Sequence, residues 1–110
     1  MIRVYQIQLS DLQIQLLNEQ GWGVDNPKIR AYGRRGLGRV EDVDMEFYTP
    51  VAVVQTDDLE EAFELMNLWE QPDRIVALAP FMASMSVGDV VETEDGRRFL
   101  CAPIGFEEIL

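Results

Sequence analysis

Asp95-Gly96 restricts the architecture more than any other pair in the chain. Aspartate followed by glycine suits the two central positions of a type I′ turn, where both residues need positive φ. Residues 90–93 and 98–101 flank the pair and are rich in strand formers. A two-residue hairpin would set Glu94 opposite Arg97, Thr93 opposite Arg98 and Glu92 opposite Phe99. Val91 would then face Leu100, and Val90 would face Cys101. In that register Val91 and Leu100 share one face, while Val90, Phe99 and Cys101 share the other. Both faces are partly apolar near the base, so the hairpin should be covered on both sides there, with its charged tip exposed. The preceding Ser84-Met-Ser-Val-Gly-Asp89 reads as a compact turn. Gly88 supplies backbone freedom. Ser86 or Asp89 can satisfy a local backbone donor. Pro103, Gly105 and Phe106 turn the chain back toward the core.

The remainder divides into local patterns. Residues 2–9 read as a strand, with Tyr5, Ile7 and Leu9 on one face and Gln6 and Gln8 on the other. Ser10 with Gln13 forms a capping-box pattern at the start of a helix over about residues 11–19. Leu12, Leu16 and Leu17 would point inward, and Gly21 would end the helix. Pro27 suits the first position of a short helix. The second strand falls in residues 47–55, with Pro50 marking its start or a bulge. Asp57 with Glu60 reads as a second capping box. The helix of residues 58–69 would bury Leu59, Ala62, Phe63, Met66 and Trp69 in one stripe. Residues 74–78 fit a strand or a turn of helix.

Charge is the strongest compositional constraint. Twenty acids face nine basic residues, with no histidine, for a net charge of −11. Five basic residues, Lys28, Arg30, Arg34, Arg35 and Arg39, fall in one stretch without an acid. The stretch contains Gly33-Arg-Arg-Gly-Leu-Gly38, which lacks the Gly-Lys-Ser/Thr of a phosphate loop and does not sit between a strand and a helix. It reads as a mobile basic loop, or as a contact loop for a phosphate or an acidic partner. Glu41, Asp42, Asp44 and Glu46 follow as an acidic cluster whose spacing does not fit an EF-hand. Such an acidic balance disfavours direct binding to nucleic-acid phosphates.

Several chemistries are excluded by inventory. Without histidine there is no Ser-His-Asp or Cys-His constellation and no histidine-bound zinc. One cysteine, Cys101, cannot form an internal disulfide or a Cys-x-x-Cys site, and reads as a small buried thiol. No pair of carboxylates stands in an apolar context that would separate their pKa values. No apolar run is long enough to span a membrane, and the alternating start Met-Ile-Arg-Val-Tyr-Gln-Ile-Gln does not read as a signal peptide. A reducing cytoplasm is the expected setting.

One block of residues has a familiar pattern: Leu68-Trp69, Pro72-Asp73, Ser84-Met-Ser-Val-Gly-Asp-Val-Val91, Asp95-Gly96, Phe99 and Gly105-Phe106. With the opening Val4-Tyr-Gln-Ile7 strand it resembles the YodL-like proteins, small domains of phages, plasmids and integrative elements. The resemblance implies an origin in a mobile element and an accessory role. It supplies no catalytic residue.

The expectation is a single α+β domain over residues 1–110, with a mostly antiparallel sheet of about four strands and two helices packed on one face. The expected function is that of a small, acidic, non-enzymatic interaction protein without a cofactor or metal. It would bind, and thereby inhibit, a basic host protein such as a defence or DNA-handling factor. The carriers would be Glu41, Asp42, Asp44, Glu46, Asp57, Asp58, Glu60, Glu61 and Glu64. The alternative is a small-ligand or metal site between the basic loop 33–38 and the acidic segment 41–46. Self-association through an exposed sheet edge is a further outcome compatible with the sequence.

Overall fold

The first strand becomes the inner member of a wide sheet. In a computed structural model describing residues 1–110, β1 (Ile2–Ile7) pairs with β2 (Tyr48–Val54) on one side and β4 (Val90–Glu92) on the other. β3 (Ile75–Ala77) extends the sheet beyond β2, and β5 (Arg98–Cys101) and β6 (Phe106–Ile109) extend it beyond β4. The order is β3-β2-β1-β4-β5-β6, and every neighbouring pair is antiparallel. The α+β class therefore stands, with six strands instead of about four. The added strands are the two edges, each short and each defined by the neighbour it pairs with.

Three helices accompany the sheet: α1 (Asp11–Gln20), α2 (Pro27–Arg34) and α3 (Leu59–Leu68). Their starts follow the local chemistry. Ser10 Oγ accepts from the Gln13 amide at 3.1 Å, and Gln13 Oε1 accepts from the Ser10 amide at 2.8 Å. Asn26 caps α2 by accepting from the Ile29 amide, with Pro27 at the first helical position. Asp58, one residue after the expected cap, accepts from the amides of Glu60 and Glu61.

The main core lies between α3 and one sheet face. Ile2, Val4, Ala52, Val54, Val91 and Cys101 meet Ala62, Leu65 and Met66 of α3, with Met85 added from the approach to β4. Leu65 takes the inward place expected of Trp69, which is 40% exposed and ends the helix in a left-handed conformation. Strand alternation puts Ile7, Val90 and Leu100 on the opposite face. They are buried too, as are Ile29 and Ala31 of α2, and none belongs to the α3 cluster. The helices are thus divided between the faces, not gathered on one. α1 departs further from expectation. It buries no residue, Leu12 is 74% exposed, and Leu16 and Leu17 are only half-buried.

The hairpin is real, but its register is shifted by one residue. Val90 pairs with Leu100, Val91 with Phe99 and Glu92 with Arg98. The Thr93 amide donates to Arg97 O at 2.9 Å, which leaves Glu94, Asp95 and Gly96 as a three-residue loop. Asp95 explains the difference. Its Oδ1 accepts from the Thr93 hydroxyl and from the Arg97 amide, closing a local turn that carries Gly96 at φ 87°. A three-residue loop with a left-handed glycine is the next common hairpin connection after the two-residue one. The shift places Val91, Phe99 and Cys101 on the α3 side and Val90 with Leu100 behind.

Candidate functional site

The nine acids singled out in the sequence meet different fates. Asp58 caps α3, and Asp44 accepts from the Glu46 amide at 3.0 Å. Asp42 pairs with Arg39 at 2.7 Å and Glu61 with Arg74 at 2.7 Å. Asp57 lies against the Met1 amine at 2.5 Å. Hydrogen bonds from Thr56 and Arg74 hold the Glu61 carboxyl below its ordinary range. These five acids are engaged in hydrogen bonds or ion pairs within the molecule. Glu41, Glu46, Glu60 and Glu64 are exposed and make no side-chain hydrogen bond or ion pair. Glu60 and Glu64 lie one turn apart on α3, where like charges repel.

Glu60 stands at the edge of an apolar recess of about 440 Å³. Phe63 of α3, Met85 and Val87 before β4, Cys101 of β5 and the 103–106 turn line it. The turn of Val40–Asp42, which carries Glu41, packs against β6 just beyond the same 103–106 turn. Ile104, at the tip of that turn, is 93% exposed. Glu60 of α3 therefore borders an apolar surface, with Glu41 on a turn packed beside it. Cys101 is 3% exposed, and burial pushes its thiol up to about 11, so it lines the recess without being a reactive thiolate.

The basic segment is docked against the closing motif. Gly88 adopts φ 94°, and a Cβ there would lie 2.3 Å from Arg35 O. Gly38 is buried at φ 63°, where a Cβ would lie 2.6 Å from Pro103 Cδ. The two glycines let the 35–38 segment press directly onto the Ser86-Val-Gly-Asp89 turn and the 103 turn. Arg30 pairs with Asp25 and Arg39 with Asp42, whereas Lys28, Arg34 and Arg35 have no ion-pair partner. Arg35 stacks its guanidinium 3.6 Å from the Tyr32 ring centroid. None of the acids 41–46 shares a principal cavity with residues 33–38, and no cluster of three or more carboxylate or thiol groups has a metal-holding arrangement.

Arg35 instead lines a different cavity, of about 500 Å³, with Tyr32, the end of β1, the start of α1 and residues 81–83. Asp89 and Ser86 of the closing motif also line it. Asp89 is 3% exposed, and burial pushes its carboxyl up to about 6, against hydrogen bonds from the Ser86 amide and Gln6 that pull it down. Gln6 is itself buried, donating to Asp89 Oδ2 at 3.1 Å and to Ala83 O at 2.9 Å. Tyr48 donates to Gly88 O at 2.7 Å beneath the turn, and burial pushes its hydroxyl up to about 12. Sequence reasoning treated Asp89 as a turn residue and missed the cavity. The available signal was Gln6, a polar residue continuing the face of Ile2 and Val4, which requires a buried partner.

Comparison with protein-family models, with curated proteins and with solved structures found no match. No helix is long and apolar enough to cross a membrane.

Proposed function

We propose that the protein is a small non-enzymatic interaction protein that binds a basic partner through its acid-flanked recess. One observation carries this reading. Glu41, Glu46, Glu60 and Glu64 remain exposed and unengaged, and Glu60 borders an apolar recess beside the exposed Ile104. A partner surface with lysines or arginines around an apolar anchor complements that arrangement. The anchor fills the recess, and the charges set orientation and association rate. A protein that handles nucleic acid presents such a basic surface, so occupation by this acidic face would compete with phosphate binding. The resemblance to YodL-like proteins supports a reading in which a mobile element acts on its host, inhibiting a defence or DNA-handling factor.

The test is affinity capture from the native host with wild type and a variant carrying Glu41→Gln, Glu46→Gln, Glu60→Gln and Glu64→Gln. Basic proteins retained by wild type should be lost from the variant, and should elute from wild type between about 0.1 and 0.5 M salt. Retention of the same proteins by both forms would count against the acidic face. The five acids engaged within the molecule are left intact, and the variant's melting temperature separates lost binding from lost folding.

A further inference from the structure

The cavity beside Asp89 is a separate hollow that shares only Ser86 with the lining of the acidic recess. Its walls are mainly apolar, with Ile7 and Leu9 at the end of β1, Ile14 of α1, and Met82. Phe81, also a lining residue, is 82% exposed and forms the rim. Two charged groups border this hollow with bonding capacity to spare. Asp89 Oδ2 accepts from the Ser86 amide at 3.0 Å and from Gln6 Nε2 at 3.1 Å, while Oδ1 accepts nothing. No fully buried side-chain oxygen or nitrogen in the protein lacks a partner. Asp89 Oδ1 is therefore reached from outside, and the cavity that Asp89 lines is the route.

Arg35 is the counterpart. Its Nη1 donates to Tyr32 O at 2.5 Å, and Nε and Nη2 make no hydrogen bond. It forms no ion pair in a chain that carries twenty acids. The contact with Tyr32 holds the guanidinium at the cavity wall. Asp11, the remaining charged lining residue, lies at the start of α1. A free carboxylate oxygen and a free guanidinium edge around an apolar hollow complement a zwitterion with an apolar body.

We propose that this cavity binds a free α-amino acid with an apolar or aromatic side chain. The ammonium group donates to Asp89 Oδ1, the carboxylate accepts from Arg35, and the side chain rests against Ile7, Leu9, Ile14 and Phe81. The volume is in the range of small-molecule sites, which combine apolar walls with a few fixed polar groups.

Calorimetric titration with L-phenylalanine and L-leucine tests the site, with N-acetyl-L-phenylalanine and phenethylamine as arms lacking the ammonium and the carboxylate. At least one free amino acid should bind, and each truncated arm should bind at least about tenfold more weakly. Asp89→Asn should lose at least about tenfold in affinity while remaining folded, because the asparagine oxygen can accept from both Ser86 and Gln6 and only the free position becomes a donor. Arg35→Gln should lose a similar factor. The four-glutamate variant described above should bind the amino acid as wild type does. No binding of either amino acid at about ten millimolar, or equal binding of N-acetyl-L-phenylalanine, would overturn the proposal. So would unchanged affinity in folded Asp89→Asn.

Discussion

Gly88 joins the closing motif to the rest of the molecule. Its φ of 94° disfavours a side chain, and the Arg35 carbonyl occupies the space where a Cβ would go. Gly96 has a similar φ of 87° but nothing within 4 Å. Gly88→Ala should therefore cost distinctly more than Gly96→Ala, which carries only the backbone term of about 1 kcal/mol. Urea unfolding of both variants measures the difference, and equal costs would mean that the 35–38 segment does not rest on this turn. Asp89 makes a second prediction. Its folded pKa of about 6 lies above the ordinary value of 3.8, so the protonated form is the one the fold favours. Its contribution is fully present below pH 3.8 and is lost as pH rises through about 6. Relative to Asp89→Asn, wild type should gain up to about 3 kcal/mol as pH falls across that window, with the other carboxylates cancelling in the comparison. A stability difference that does not vary with pH would contradict the burial of Asp89 next to Tyr48 and Arg35.

At the scale of elements, the features set by neighbouring residues were legible and those set by distant partners were not. Ser10 with Gln13, Pro27 at the start of α2, and Gly21 after α1 each act within one turn, and each appears as read. The residues of β3 fit a strand or a turn of helix alike and those of β6 carry no strand pattern, and both become strands by pairing with β2 and β5. The hairpin was legible from Asp95-Gly96, but its loop length turned on side-chain bonds from Thr93 and Arg97 to Asp95. Among the nine acids, nothing local marked Glu61 as the partner of Arg74. Beyond the one signal in Gln6 the cavity was not legible for the same reason, since Gln6, Arg35 and Asp89 meet only in the folded chain. α1 has a well-formed cap and no buried residue, so its stability rests on local terms. Amides of α1 should exchange with deuterium far faster than those of β1, and Ser10→Ala should speed α1 further while costing only about 1 kcal/mol of helix stability. Protection of α1 equal to that of β1 would show that it is held by something other than its own turns.

Across the whole molecule, negative charge is left unneutralised by the fold. Seven of the twenty acids stand in ion pairs, so thirteen do not. β6 carries the unpaired Glu107, beside Glu108 paired with Arg97, on an edge strand, where charged side chains oppose edge-to-edge pairing of copies. The net charge of −11 costs stability through self-repulsion. The melting temperature should therefore rise with salt, and the four-glutamate variant should melt higher than wild type and respond less to salt. That variant separates stability from function, because the account has it fold better and bind worse. The most direct test is the affinity of a captured basic partner for wild type and for the four-glutamate variant, measured across a salt series. The account predicts a steep fall of wild-type affinity with salt, and a variant at least about tenfold weaker at low salt with a shallower slope. Equal affinities and equal slopes would contradict it.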